Sequence, residues 1–155
     1  MSELPLTDGV VTLRRLRDGD AATLIAGRDG EFHRWIGAGS PDPRPAAVIE
    51  VAGQVVGWVD HDDERTWLRP GQCNVGYHVF ASHRGQGIAT RAVRLIFDLL
   101  RAETAYAEAT FLIDEENPSS LRVARAVGAT ELDRFPNTVG RPQILLAVSL
   151  GPATS

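Results

Sequence analysis

Cysteine is almost absent from this chain of 155 residues, and lysine is absent altogether, so that all 16 basic residues are arginines. With Cys73 as its single cysteine, the chain has neither an intrachain disulfide nor a cysteine-rich metal site. Cys73 lies at the start of a predicted strand, where a lone cysteine is typically a small buried residue. A catalytic thiol would instead need a neighbouring base.

Long apolar runs are also missing, because none approaches the length of a membrane-spanning helix. The first residues lack the basic and then apolar pattern of a signal peptide, so we expect a cytoplasmic protein without a membrane partner. The net charge is −4, whereas nucleic-acid-binding domains are usually clearly positive, so we expect no nucleic-acid partner. The length and the 43% hydrophobic content predict one globular domain over residues 1–150, with a flexible tail over 151–155.

Helical and alternating patterns follow one another along the chain, without an internal repeat. The strongest helical pattern begins at Ile88 and ends near Glu103, with apolar residues on one side and charged residues on the other. A second helix is predicted to start after Asn117 as its cap and to end before Gly128. Short helices are predicted near residues 20–26 and 32–36, and strands over 10–13, 46–51, 54–60, 74–80, 107–113, 130–135 and 144–150.

The most informative segment covers residues 75–89 and has the pattern of a strand, a glycine-rich turn and the start of a helix. Gly85 and Gly87 permit backbone conformations that are closed to other residues, so consecutive N–H groups can converge on one point. The helix adds the unpaired N–H groups of its first turn and the positive end of its dipole. With the guanidinium of Arg84 at its mouth, this segment predicts a phosphate site.

Two other interpretations of the turn are open. A dinucleotide site has a third glycine, follows the first strand of a domain and has an acidic residue about 20 positions later. Here Thr90 occupies the third glycine position and the strand lies in the middle of the chain, which disfavours that site. A tight turn without a ligand is the other alternative, and it predicts that Gly87 can become bulky without loss of any binding.

The turn, Arg-Gly-Gln-Gly-Ile-Ala at 84–89, resembles the Q/R-x-x-G-x-G/A signature of the GNAT N-acetyltransferase superfamily. The segment Asn-Pro-Ser-Ser at 117–120, followed by Val-Gly-Ala at 127–129, resembles a segment of the ribosomal-protein (Rim-type) branch. Three further segments resemble that branch in the expected order, at residues 12–16, 31–36 and 75–77.

The resemblance implies acetyl-coenzyme A as cosubstrate, and a reaction that needs no metal. In this family the strand before the loop and the next strand splay apart, and the pantetheine arm lies between them. Main-chain groups near Val79 and Ala81 are thus implied to hold pantetheine and to polarise the thioester carbonyl. The implied coenzyme-binding residues are Val79, Ala81, Arg84, Gly85, Gln86, Gly87, Ile88, Ala89, Asn117 and Ser120. Asn117 and Ser120 have an alternative role, because each can complete a helix N-terminus.

The chain departs from the family at the positions that transfer protons. Many members have a Glu near the start of the strand before the loop, where Cys73 and Asn74 stand here. Many relatives outside the Rim-type branch have a Tyr that acts as the general acid toward the departing thiolate, at the position where Ala124 stands here. The acid is therefore missing or comes from solvent.

Three other residues are candidates for the general base. His78 is the best placed, because histidine titrates near neutral pH. Asp60 and His61, at the end of the preceding strand, are the other two. A satisfied or exposed strand histidine without a catalytic role is the alternative for His78.

The predicted fold is α/β, with a mixed and largely antiparallel sheet and helices on both faces. The predicted function is acetyl transfer from acetyl-CoA to a primary amine, first of all the N-terminal amine of a protein or peptide. A small amine such as an aminoglycoside or polyamine is one alternative, and a non-catalytic coenzyme A-binding sensor is another. The last strand is a candidate homodimer contact. The residues expected to wall an acceptor pocket, or to lie in the core, are Phe32, Trp35, Trp58 and Trp67.

Overall fold

An eight-stranded sheet forms the centre of the structure, a computed structural model that describes residues 4–151. The strands are β1 (Leu6–Thr7), β2 (Val11–Arg14), β3 (Ala47–Val51), β4 (Gln54–Asp62), β5 (Gln72–Val79), β6 (Glu108–Asp114), β7 (Thr130–Pro136) and β8 (Pro142–Ser149). Their order in the sheet is β1-β2-β3-β4-β5-β6-β8-β7. Neighbouring strands are antiparallel except for β5 and β6, which are parallel. The predicted mixed and largely antiparallel α/β fold is confirmed.

Four α-helices lie within the described residues: α1 (Asp20–Ala26), α2 (Gly30–Trp35), α3 (Ile88–Glu103) and α4 (Pro118–Ala126). A short 3₁₀ turn, Ala81–His83, links β5 to the glycine-rich loop. Helix α3 has the predicted bounds because its apolar stripe is continuous and half of its 16 residues are buried. Asn117 caps α4 as predicted, since its Oδ1 accepts from the Ser120 N–H at 3.3 Å.

The helices lie on both faces of the sheet, and alternation along β5 shows which residues face which helices. Val75 and Val79 belong to the large apolar core that contains the buried side of α3. His78 points to the opposite face, where its ring meets Phe32 of α2 edge-on with the ring centroids 4.9 Å apart. Strand β5, which leads toward the glycine-rich loop, therefore packs against α3 on one face and α2 on the other.

Two strands of the structure differ from the predicted elements. β1 was not predicted, because two residues are too short to show a pattern. β4 extends beyond residue 60 and includes His61 and Asp62, which were expected in a loop. These polar residues adopt the strand conformation because they pair with Val75 and Asn74 of β5.

The expected tail lies outside the described residues apart from Gly151. Within residues 4–151, no helix is long and apolar enough to cross a membrane.

Candidate active site

A cleft opens where the parallel strands β5 and β6 separate. The two strands pair at only three positions, the last of which joins Asn74 to Thr110. Beyond it, β5 stays paired with β4 and β6 stays paired with β8. The facing edges of β5 and β6 are therefore free between this point and the glycine-rich loop.

Two cavities occupy this cleft. The first, of about 450 Å³, extends from the glycine-rich loop along β5, and the second, of about 310 Å³, lies between β5 and β6. Five residues line both cavities: Trp35, Ile36, Tyr77, Asn117 and Ser120. The cavities thus meet beside the start of α4, and a long molecule can reach from the loop into the second cavity.

The glycine-rich loop has free N–H groups that border the first cavity. Gly85 and Gly87 have φ angles of +76° and +75°, in the left-handed region, and a Cβ atom at either would meet no other atom within 4 Å. Within residues 4–151, no acceptor lies within hydrogen-bond distance of the Gly85, Gln86 or Gly87 N–H groups. The first-turn N–H groups of α3 follow directly. The loop and the helix therefore present adjacent donors that suit an anion.

Arg84 gives its side-chain donors to the protein, although the sequence suggested that they face a phosphate. Nη1 donates to Asp29 Oδ2 at 2.6 Å, Nη2 to Asp29 Oδ1 at 3.0 Å, and Nε to the Val79 carbonyl at 2.9 Å. The Arg84 guanidinium holds the pKa of Asp29 far below its usual range. Asp29 also caps α2 by accepting from the Phe32 N–H at 3.1 Å. This pair therefore fastens α2 to the glycine-rich loop.

His78 borders the first cavity but is only 5% exposed. Its Nε2 lies 3.0 Å from Arg84 Nη2, and a guanidinium can only donate, so Nε2 accepts and the proton of the neutral ring lies on Nδ1. Nδ1 has no partner among the described residues. Burial, and then the charge of Arg84, lower the pKa of His78 to about 4. The ring is therefore neutral at pH 7 and a weak base.

Asp60 and His61, the other two candidate bases, line neither cavity. Asp60 Oδ1 accepts from the backbone N–H groups of Ala46 at 3.0 Å and His61 at 2.9 Å. Burial raises the pKa of Asp60. The Asp60 side chain thus binds backbone N–H groups, one of them in the residue just before β3.

Tyr77, Asn117 and Ser120 form a hydrogen-bonded group where the cavities meet. The Tyr77 hydroxyl donates to Ser120 Oγ at 3.2 Å, and Asn117 Nδ2 donates to the same oxygen at 3.1 Å. Burial raises the pKa of the Tyr77 phenol. Tyr77 was not predicted as a site residue, although it belongs to the Val-Gly-Tyr segment, because nothing local links it to a residue 43 positions away.

The second cavity has walls of tryptophan. Trp35, Trp58 and Trp67 line it, whereas Phe32 lines only the first cavity. Among the described residues that line the second cavity, Asp114 is the one carboxylate. Asp114 already accepts from Arg141 Nε at 2.7 Å, which lowers its pKa. This end of the cleft is therefore aromatic and lacks an unpaired carboxylate.

Comparisons with known proteins agree with this geometry. A family model of the acetyltransferase (GNAT) domain matches residues 44–130, more than half of the chain. No curated protein sequence matches the chain.

Several solved structures share the fold. RimJ from Mycobacterium smegmatis, in complex with CoA-disulfide, is 24% identical with a TM-score of 0.74, covering 91% of this chain and 82% of that one. Ribosomal-protein-S5-alanine acetyltransferase from Vibrio fischeri is 15% identical with a TM-score of 0.77, covering 99% of this chain and 100% of that one. Aminoglycoside acetyltransferase AAC(6')-Ib, in complex with coenzyme A and kanamycin, is 18% identical with a TM-score of 0.76, covering 90% of this chain and 94% of that one.

Proposed function

The chain belongs to the GNAT acetyltransferase family, and on that premise we propose that it acetylates the N-terminal amine of a protein or peptide. The observation that carries this proposal is the separation of β5 from β6 beyond Asn74 and Thr110. It gives a long, thin acyl donor a path from the glycine-rich loop to the second cavity. Acetyl-CoA has that shape, with its phosphates at one end and its thioester at the other.

The coenzyme is proposed to occupy the first cavity. The free N–H groups from Gly85 to Ala89 suit its pyrophosphate. The Phe80 N–H donates to Val56 in β4 at 2.8 Å, so by alternation the Val79 N–H points into the cleft. Val79 and then Ala81 thereby offer main-chain groups to the pantetheine arm. A main-chain donor at the thioester oxygen contributes about 3 kcal/mol to lowering the barrier.

The second cavity is proposed to take the amine. An aminoglycoside carries several positive charges, and a site for it needs unpaired carboxylates. Asp114 is already paired with Arg141, and the tryptophan walls offer no charge. A peptide N-terminus carries one amine and an extended chain, which these walls fit better. The likeness to an aminoglycoside acetyltransferase keeps a small amine as the second candidate.

Solvent in the cleft is proposed to take the proton from the amine. His78 is neutral, and its Nε2 lone pair already accepts from Arg84. Asp60 and His61 lie outside both cavities. We therefore propose His78 as a neutral wall of the coenzyme cavity, whose replacement by Gln lowers kcat less than tenfold.

Acetyl transfer to a set of amines tests the proposal. Release of coenzyme A is measured with acetyl-CoA and peptides that differ at the first residue, with the same peptides blocked at the N-terminus, and with kanamycin. We expect turnover with free N-termini and none with blocked ones. Turnover with kanamycin but with none of the peptides would identify an enzyme that acts on small amines. Coenzyme binding without turnover on any amine would favour the sensor.

A further inference from the structure

One charged side chain in the wall of the second cavity has unused hydrogen-bond donors. Arg65 lines this cavity from the loop between β4 and β5. Its Nε donates to the two carboxylate oxygens of Asp62, at 3.2 and 3.3 Å. Within residues 4–151, neither Nη group of Arg65 has an acceptor. The side chain is 52% exposed, so these N–H groups are open to a ligand.

The other charged side chain in this wall, among the described residues, is Asp114. Both of its carboxylate oxygens are in use, because Oδ2 accepts from Arg141 Nε at 2.7 Å and Oδ1 accepts from the Glu116 N–H at 2.9 Å. A guanidinium can only donate, and its planar fork of N–H groups matches a carboxylate. The charge that the cavity offers to a ligand is therefore positive, and it suits a ligand that carries a negative group.

Arg65 lies at the end of the second cavity that is farther from the coenzyme loop. Its partner Asp62 is paired in the sheet with Asn74, near the start of β5. Tyr77, where the two cavities meet, lies three residues further along the same strand. Three residues of a β-strand span about 10 Å. Arg65 is therefore held about 10 Å from the junction of the cavities.

This distance corresponds to a position in the acceptor. The inference rests on the proposed function, in which the reacting amine of a peptide lies where the cavities meet. An extended peptide covers about 10 Å in three residues. We propose that Arg65 is a specificity-determining residue, which binds a carboxylate on the third residue of the acceptor peptide. That carboxylate is either the side chain of Asp or Glu, or the C-terminus of a tripeptide.

The aromatic walls strengthen such an ion pair. Trp35, Trp58 and Trp67, which are the three tryptophans of the chain, all line the second cavity. The Arg65 Cζ atom lies 5.8 Å from the centroid of the Trp67 ring, which supports the guanidinium from one side. Apolar walls keep water from part of the site, so charges attract each other more strongly there than on an open surface.

The test uses peptides of the form Ala-Ala-Xaa-Ala-Ala with an amidated C-terminus, in which Xaa is Glu, Gln or Arg. The tripeptide Ala-Ala-Ala, with a free or an amidated C-terminus, distinguishes a terminal from a side-chain carboxylate. Two quantities are measured for each peptide. One is its Kd in the presence of coenzyme A, from the fluorescence of the tryptophans that line the cavity. The other is kcat/KM with acetyl-CoA.

The wild type should bind the Glu peptide about fivefold more tightly than the Gln peptide, and the Arg peptide should bind least tightly. The same order should appear in KM, with kcat changed less than about twofold, because the contact is equal in the bound peptide and in the transition state. Arg65→Gln should abolish the preference, and Arg65→Glu should reverse it in favour of the Arg peptide. High salt should weaken the preference in the wild type.

Arg69→Glu is the matched control. It makes the same change in charge within the same loop, but Arg69 lines neither cavity, and its backbone N–H keeps Gln72 Oε1 as acceptor at 2.9 Å. This variant should keep the order Glu, Gln, Arg. A reversed order in Arg69→Glu would overturn the inference, because it would mean that only the net charge of the protein matters.

Equal Kd values for the three peptides in the wild type, or an unchanged order in Arg65→Glu, would also overturn the inference. If the peptides are acetylated without any preference for charge, the proposed function stands and the role of Arg65 fails. If the peptides bind with the expected order and its reversal but release no coenzyme A from acetyl-CoA, the proposed function fails and the role of Arg65 in binding stands. If no peptide changes the fluorescence or is acetylated, both fail.

Discussion

The stability of this protein should fall between pH 7 and pH 5 because of His78. The ring is almost fully buried, and its pKa is lowered from 6.5 to about 4. Burial is the main cause, and the charges of Arg84 and Arg28 add to it, while the Asp29 carboxylate opposes it. Above pH 6.5 the ring is neutral in both the folded and the unfolded chain. Below that pH the unfolded chain binds a proton at His78 that the folded chain does not bind, so the unfolded state is stabilised relative to the folded state.

The size of this effect follows from the difference in pKa. Each pKa unit corresponds to about 1.4 kcal/mol, so the full loss on going from pH 6.5 to pH 4 is about 3 kcal/mol. At pH 5 about 2 kcal/mol of it is lost, which lowers the thermal midpoint of a domain of this size by about 4–8 °C. The carboxylates whose pKa is lowered, such as Asp20, contribute mainly below about pH 4.

The assay is urea unfolding from pH 7 to pH 5 of the wild type and of His78→Gln. Gln does not titrate, and its amide oxygen can accept from Arg84 as the His78 Nε2 does. The wild type should lose about 2 kcal/mol more than the variant over this range. Parallel stability curves would refute the reasoning, because they would mean that the ring is as easily protonated in the folded chain as in the unfolded one.

Two further predictions concern the elements that hold the site. Asp29→Ser keeps a cap for the Phe32 N–H but removes the ion pair with Arg84, so we expect it to lower the free energy of unfolding by about 1–2 kcal/mol. Asp29→Ala also removes the cap and should cost about 1 kcal/mol more. Urea unfolding measures both. A Cβ atom at Gly57 would lie 2.0 Å from a backbone oxygen of β5, whereas one at Gly30 meets nothing within 4 Å. Gly57→Ala should therefore destabilise by more than about 3 kcal/mol while Gly30→Ala changes stability by less than about 1 kcal/mol, and equal thermal midpoints would contradict this.

The helix bounds that the sequence predicted are those with local causes. Helix α3 could be predicted from its first to its last residue, because a glycine precedes it and its apolar stripe is continuous. The start of α4 could be predicted from Asn117 and the proline that follows it, because these residue types favour the cap and the first position of a helix. The separation of β5 and β6 was implied by the family resemblance, and the strand pairing confirms it. The bounds of the two helices depend on residues within a few positions of one another, whereas the strand separation joins segments far apart in the sequence and could be expected only through the resemblance.

The arrangement of side chains at the site could not be predicted in the same way. Arg84 pairs with Asp29, 55 positions away, and thereby withdraws its side-chain donors from the loop that it precedes. Tyr77 meets Ser120 only because β5 and α4 lie on two sides of one cleft. Asp29 itself had a local signal, an Asp one residue before a short helical pattern, which the prediction of α2 did not use. The contacts of Arg84 with Asp29 and of Tyr77 with Ser120 form only once the sheet is assembled.

The most direct test of the central claim is the thermal midpoint of the protein with and without acetyl-CoA. The wild type is compared with Gly87→Trp, in which the side chain occupies the mouth of the loop, and with Gly140→Trp. Gly140 also has a left-handed φ and open space around it, but it lies in the turn between β7 and β8. At 100 times the Kd, acetyl-CoA should stabilise the wild type and Gly140→Trp by about 2.7 kcal/mol and should not stabilise Gly87→Trp. No rise in the wild type at millimolar acetyl-CoA, or an equal rise in all three proteins, would contradict a coenzyme site at the glycine-rich loop.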